Sequence, residues 1–546
     1  MIRTPLINGC GRFVMKFSSR KLLMFNSLSK LLLTTFIMLC ITGCANKQDQ
    51  AKDIVVTLLF TNDIESAYEP VPAWWRDDME HIGGIAELTT LIKKIRREEP
   101  NVFLFDSGDI FTGALSRLTD GALMFEFMIT MGYDAMAIGN HEFDYGEAIL
   151  EWQKNRVPFP VLGANLDYKG TQHPFAQRHT IIERGGIRIG VIGILGQDAA
   201  SSAVAPMHID ELDVVDPKER VQRSVDELRE DVDLIVLLTH QGHTAPMQTD
   251  AEIDPRLARD IEKDIALAGA VTAIDVLFGG HADAGTWTPV VQPETGTLIM
   301  QTFGQATYLG YLQLTLDGDT KKIKTYDGKL IPVNADVLEP DPVIESKNAT
   351  YRAAHPEITE VVGQTKKRFN RRYFDEADLG NLLADIALEM TGADIGLIHP
   401  GTIRKDIPQG DVEIADILDT NPFVDPIVVV EVTGTQLKQI MEQSFTLLRG
   451  LMQVSGLEVT YDTSRPERSR LVSLSHNGKP VNDEEIFSVA VPEIIARGGD
   501  HYDEFLEARL LRKSKPLGEL TIEYFRKYGV ISMPASGRQR DIKPSD

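Results

Sequence analysis

Five apolar runs in the first half of the chain share one pattern, and that pattern limits the fold. Each is rich in β-branched and aliphatic residues, and each ends in side chains able to hold a metal ion or a phosphate. Residues 54–60 run into Thr61-Asn62-Asp63-Ile64-Glu65, and residues 102–105 into Asp106-Ser107-Gly108-Asp109. Residues 135–138 lead to Gly139-Asn140-His141-Glu142-Phe143-Asp144. Residues 234–238 end in Thr239-His240-Gln241-Gly242, and residues 274–278 in Gly279-Gly280-His281-Ala282-Asp283. Runs this apolar read as strands buried on both faces. A sixth run, 189–195, has no ligand-type residue directly after it. Amphipathic segments, such as the one carrying Ile85, Leu88, Leu91, Ile92 and Ile95, read as helices between strands. Strand, crossover, strand is an α/β pattern. In open α/β sheets the working residues gather beyond the carboxyl ends of the strands. The five polar clusters are therefore expected to meet on one rim.

Each cluster alone has a plain structural explanation. An Asp after a strand often caps a helix, and a Gly-Gly-His is often a turn with a solvated ring. Five such ends in one unit exceed what capping requires. An amide, imidazoles and carboxylates beside buried strands are costly unless something pairs with them. The neighbouring glycines suit close approach of backbone to such a centre.

Composition narrows the partners. The chain has 546 residues, 43% of them hydrophobic, which suits two or three domains with sizeable cores. A formal net charge of -24 argues against a nucleic-acid polymer or an anionic lipid surface as the main partner. A small anion stays open, because a bound divalent metal reverses the local field. The cysteines are Cys10, Cys40 and Cys44, so neither a disulfide framework nor thiolate ligation of zinc is available to the folded part.

Lys16, Arg20, Lys21 and Lys30 precede an apolar run at 31–41, the pattern of an export signal. The run is shorter than the ~20 residues of a membrane-spanning helix. It ends in Ile41-Thr42-Gly43-Cys44, which resembles a bacterial lipobox. The expectation is a lipoprotein signal peptide at 1–43, a lipid on Cys44 and a tether at 44–52. A plain signal peptide or an uncleaved anchor is the alternative, and Met15 or Met24 are alternative starts. Ala45 in place of Asp implies the outer rather than the inner membrane. The mature chain is then exported and held in the cell envelope, at the periplasmic face or the surface of the outer membrane. The lipid is its one link to the membrane.

In the second half, residues 332–359 are polar and proline-punctuated and read as a linker with a helical piece at 343–354. From 360 the composition is globular again, with a helix at 379–390, a strand at 427–432 and a helix opening at Thr433-Gly434.

The ordered clusters resemble the calcineurin-like dimetal phosphoesterases, and more closely their 5′-nucleotidase branch. That branch carries Thr-Asn-Asp-x-His, Gly-Asp, Gly-Asn-His-Glu-Phe-Asp, a strand-end His, and Gly-His-x-His or Gly-His-x-Gln. The resemblance implies a four-layer α/β/β/α metallophosphoesterase domain at 53–331. It also implies a smaller α/β substrate-binding domain at 360–546. The implied activity is metal-dependent hydrolysis of nucleotide phosphate esters, with a metal-bound water or hydroxide as nucleophile. By the same resemblance Asp109 bridges two divalent ions. Asn140, His240 and His281 complete the second site, and Asp63 belongs to the first. His141, oriented by Asp144, donates to the phosphoryl oxygens. Arg404 grips phosphate, Phe423 stacks on a base, and Asp500 accepts from the ribose hydroxyls.

Several departures stand out, among them His399-Pro400 where the family has an Asn before its glycine run. Glu65 and Asp283 occupy the two positions where the family has His, and His or Gln, at the first metal. If both bind, that site is all oxygen, which favours manganese, magnesium or calcium. The second site is compatible with zinc, manganese or iron. The second stacking aromatic falls at Ile494, and a further phosphate-gripping Arg falls at Asp375. These changes predict slack or altered substrate choice. The alternatives are another ester of the superfamily (a nucleotide sugar, a cyclic nucleotide, a sulfur ester) or an impaired, ligand-binding surface lipoprotein.

Overall fold

Four strands, Ile54–Thr61, Val102–Asp106, Ala135–Ala137 and Val161–Leu162, pair in parallel in the first half of the chain. The antiparallel strands Tyr308–Leu316 and Ile323–Pro332 extend this sheet on the Ile54–Thr61 side to six strands. A second six-stranded sheet is built around Ile187–Leu195, Leu234–Gln241 and Val276–His281, all parallel. The computed structural model describes residues 51–543 apart from 244–248, 252–253, 255 and 258. The expected signal peptide and Cys44 lie outside the described residues.

Alternation along the strands sorts the side chains into layers. Val56, Leu58 and Phe60 meet Val191, Val236, Leu238 and Phe278 in a core between the two sheets. The rings of Phe60 and Phe278 stack at 4.0 Å and 13° across it. Leu59 and Leu104 point the other way, onto the helices Ile85–Glu98 and Ala122–Met131. On the outer face of the second sheet, Ile192, Ile194, Ile235 and Leu237 pack with the helices Pro217–Leu228 and Glu262–Ala270. The result is helix, sheet, sheet, helix. Continuous apolar runs follow from it, because each central strand is covered on both faces. Burying one such large side chain stabilises the fold by about 1.5–3 kcal/mol.

Register brings the strand ends together. Thr61 pairs with Asp106 and His240 with Gly280, so in each sheet the polar residues that follow emerge at one level. The stretch expected as a linker contains the helix Pro342–Ala354, capped by Asp341, whose side chain accepts from the amides of Val343 and Ile344. Ile344 is buried in the core beneath the first sheet.

In the second half, five strands run in the order Gln453–Ser455, Ile395–Ile398, Ile486–Pro492, Pro426–Thr433 and Arg509–Pro516. The helices Asp378–Thr391 and Leu517–Tyr528 cover one face, and Gly434–Ser444 covers the other. Thr433 and Gln436 form a reciprocal capping box at the start of Gly434–Ser444. This helix therefore begins where the Thr-Gly signal predicts.

Candidate metal centre and substrate cavity

Side chains from all five strand ends line a single cavity: Asp63, Glu65, Asp109, Asn140, His141, His281 and Asp283, with His240 directly behind. Asp109, His240 and His281 offer ligand atoms that lie within 4.8 Å of one another. The His240 Nε2 atom is 3.0 Å from Asp109 Oδ2 and 3.0 Å from Asn140 Oδ1. Its Nδ1 faces the carbonyl of Ser107 at 2.8 Å. With Nδ1 directed at that carbonyl, Nε2 faces two oxygen acceptors and can take either a proton or a cation. His281 Nε2 and Glu65 Oε2 are buried with no hydrogen-bond partner. A cation in place of the proton shared there would satisfy these crowded ligand atoms. Aspartate, imidazole and amide oxygen are suitable donors for a divalent ion.

The electrostatics agree. Burial alone would raise Asp109, but His240 and His141 outweigh it and hold the carboxyl well below its usual range. Burial disfavours a charged His240, yet Asp109 overrides it and raises the ring to about 10. Burial and the adjacent His240 push His281 well below its ordinary value. Two imidazoles 5.1 Å apart thus share one positive charge at most. Burial raises Asp63 to about 7, against the pull of His240. Its Oδ2 accepts from the amide of His281 at 2.9 Å and from Asn62 Nδ2 at 2.7 Å.

Backbone geometry marks the same residues. Asp63, Glu65, Asp109, His281 and Asp283 all have φ between 45° and 71°. A non-glycine residue held there costs about 1–3 kcal/mol, and such strain clusters at functional sites. Gly139 is needed beside them, since a Cβ there would sit 2.3 Å from Asp109 Oδ1. Glu142 ties the loops together by accepting from the amides of Gly139 at 2.6 Å, Asp109 at 3.0 Å and Ile110 at 2.8 Å. Asp264 braces the other sheet, accepting from Thr239 Oγ1 and Gln241 Nε2 on either side of His240.

His141 sits over this centre. Its Nδ1 lies 3.0 Å from both carboxylate oxygens of Asp144, and its Nε2 is 4.0 Å from Asp109 Oδ2. Burial opposes protonation, but Asp144 and Asp109 outweigh it and raise the ring to about 9. Arg404, from the second half, places Nη2 2.9 Å from His141 Nε2 and donates from Nη1 to Glu65 Oε1 at 3.2 Å. Glu65 therefore turns one oxygen toward Arg404 and His141. The Phe423 ring lies 6.1 Å from the His141 ring at 30°, with the Arg404 guanidinium 5.3 Å from its centre.

Asp500 also lines the cavity, and its two oxygens lie 3.1 Å from Arg449 Nε and 3.2 Å from His399 Nδ1. Ile494 lines it too. Asp375 instead pairs with Arg256 of the first half. Sequence reasoning did not single out Arg449, His208, Asp425 or Tyr373, all of which line the cavity. Glu142 was visible within its motif, but its clamping role was not.

Comparison with known proteins bears on this geometry. The Calcineurin-like phosphoesterase family matches residues 56–282, and the 5′-nucleotidase, C-terminal domain family matches residues 361–507. The snake venom 5′-nucleotidase of Crotalus adamanteus is 26% identical, over 91% of this chain and 90% of its own length. The 5′-nucleotidase of Vibrio vulnificus is 27% identical, over 87% of this chain and 91% of its own. A crystal structure of a 5′-nucleotidase precursor from Thermus thermophilus superposes with a TM-score of 0.75 at 26% identity, covering 90% of this chain and 100% of that one. With both domains matched in order and relatives aligned along nearly the whole chain, this protein belongs to the 5′-nucleotidase family of calcineurin-like phosphoesterases.

Proposed function

We propose that the chain is a metal-dependent hydrolase that releases phosphate from nucleotides. The observation that carries this reading is the position of His141. One ring nitrogen is held by Asp144, and the other lies between the Asp109 centre and Arg404. A phosphoryl group entering there meets a donor on each side. His141 Nε2 is placed to donate to a phosphoryl oxygen as charge develops on it. Asp144 fixes the ring's orientation and stabilises its charged form. Arg404 has an Nε with no partner and only 7% exposure, so it holds donors in reserve for an anion.

Asp109, Asn140, His240 and His281 would hold one ion. Asp63, Asp109 and Asp283, with Glu65 beside them, would hold the other. Divalent cations bound there supply positive charge against the phosphoryl oxygens and acidify a water. The oxygen-rich first site favours manganese, magnesium or calcium, whereas the nitrogen-bearing second site suits zinc, manganese or iron.

The nucleoside end is the C-terminal half. Phe423 offers a face for a base, and Asp500 offers acceptors for ribose hydroxyls. Ile494 replaces a second aromatic wall, so stacking contributes less to binding than a two-sided clamp would. The mature protein is exported and attached to the envelope through a lipid on Cys44. The test is phosphate release from a panel of 5′-mononucleotides, nucleotide sugars and cyclic nucleotides by metal-loaded protein. Turnover of the mononucleotides supports the reading, and turnover of the other esters alone overturns it.

A further inference from the structure

The cavity in front of His141 has a second region that phosphate hydrolysis does not use. Val204, Ile427, Ile494 and Leu517 give it an apolar lining. Asp425 and His208 also line it, from opposite halves of the chain. The Oδ1 atom of Asp425 is buried and accepts no hydrogen bond. The nearest basic atom is His208 Nε2 at 3.5 Å, and the two side chains are only 10% and 16% exposed. Asp144 is the other charged group that acts on Asp425 from the first half. An unmatched acceptor in an apolar chamber is costly unless a ligand donor meets it.

The surroundings indicate the ligand. Phe423 lies two residues before Asp425 and presents an aromatic ring to the same cavity. Arg404 and His141 take the phosphate end, so the planar part of the substrate falls to this region. A planar ring that stacks on Phe423 and carries an N–H donor on its edge matches both features. We propose that Asp425, with His208 beside it, accepts a hydrogen bond from the exocyclic amino group of the nucleobase. The site thereby prefers amino-bearing nucleotides (AMP, CMP) to their oxo counterparts (IMP, UMP). This inference rests on the nucleotide reading above and adds the choice of base to it. Replacing the amine by a carbonyl sets two acceptors against each other, which a buried site rejects strongly.

The test compares kcat/KM for AMP against IMP and for CMP against UMP. It uses metal-loaded wild type, Asp425→Asn and Asp425→Ala, with Tm recorded for each. The expected result is a preference of about tenfold or more for the amino member of each pair, shrinking to about threefold or less in Asp425→Ala. Equal use of both members by wild type overturns the inference and leaves the hydrolase reading intact. So does a preference that survives in both variants. If Asp425→Ala unfolds, Asp425→Leu, which is close in size and has no acceptor, carries the comparison. No turnover of any nucleotide overturns the nucleotide reading itself, and this inference with it.

Discussion

Glu65 and Arg404 are 339 residues apart in sequence and meet at 3.2 Å inside the cavity, both nearly inaccessible to solvent. The pair joins a strand end of the phosphoesterase half to the loop that follows the turn Pro400–Thr402 in the second half. It occupies a position where the family resemblance expects a metal-binding histidine.

Removing the charge of Glu65 while keeping its size tests what the pair does. Glu65→Gln leaves Arg404 without its buried counter-charge, and a hydrogen bond between charged groups contributes about 1.5–3 kcal/mol. The KM for AMP is expected to rise about tenfold, a step of about 1.4 kcal/mol. The metal content of the Asp109–His240–His281 group should be unchanged. Steady-state kinetics and elemental analysis of the same preparation check this. Loss of metal with an unaltered KM would make Glu65 a ligand and not an anchor for Arg404.

In the proposed reaction, His141→Ala removes a donor to the phosphoryl group. Loss of one such donor lowers kcat by about 10²–10³-fold. Asp144→Asn keeps the ring but weakens its orientation, so a smaller fall in kcat is expected. Neither residue belongs to the Asp109–His240–His281 group, so both variants should retain their metal. Phosphate release under saturating AMP measures the effect.

Burial pushes Asp264 up to about 6, with its bonds to Gln241 and Thr239 offsetting only part of the penalty. The folded chain therefore holds this proton more tightly than the unfolded chain, where the group titrates near pH ~3.9. Its stabilising contribution is complete below about pH 4 and is lost as pH rises through about 6. Asp264→Asn has no such dependence. In metal-stripped protein, the stability of the variant relative to wild type should climb between pH 4 and 6 by about 2–3 kcal/mol. Thermal melts across that range read the slope, and a flat difference would contradict the assignment.

How far the site could be read from the sequence depended on what each residue needed. Asp109, Asn140, His240 and His281 were legible because each lies in a polar cluster that follows an apolar strand run, which puts them on one rim, and because their order resembles the phosphoesterase motifs. That the central strands are covered on both faces was legible from their unbroken apolar runs, whereas the four layers were legible only through the family resemblance. Glu65 was legible as an exception but not in its direction. A residue at φ 45° points its side chain where no periodicity rule specifies. Asp375 reads as a lost phosphate grip, yet its partner Arg256 is 119 residues away and no local pattern links them. Asp425 and His208 have no motif at all. They become a pair only when the two halves close on each other.

Cys44 tests the proposed envelope location. A Cys44→Ala protein expressed in a Gram-negative host should lose incorporation of labelled fatty acid and move from the membrane to the soluble fraction. Retention of the label in the variant would contradict attachment at this residue.

The most direct test is phosphate release from AMP by protein stripped with a chelator, dialysed, and resupplied with Mn, Mg, Ca, Zn or Co. If the strand-end side chains close around a pair of cations, stripped protein should be inactive. Activity should return as the bound metal approaches two ions per chain, and His240→Ala should not recover. Full activity in the stripped protein, or recovery of His240→Ala to the wild-type rate, would contradict it.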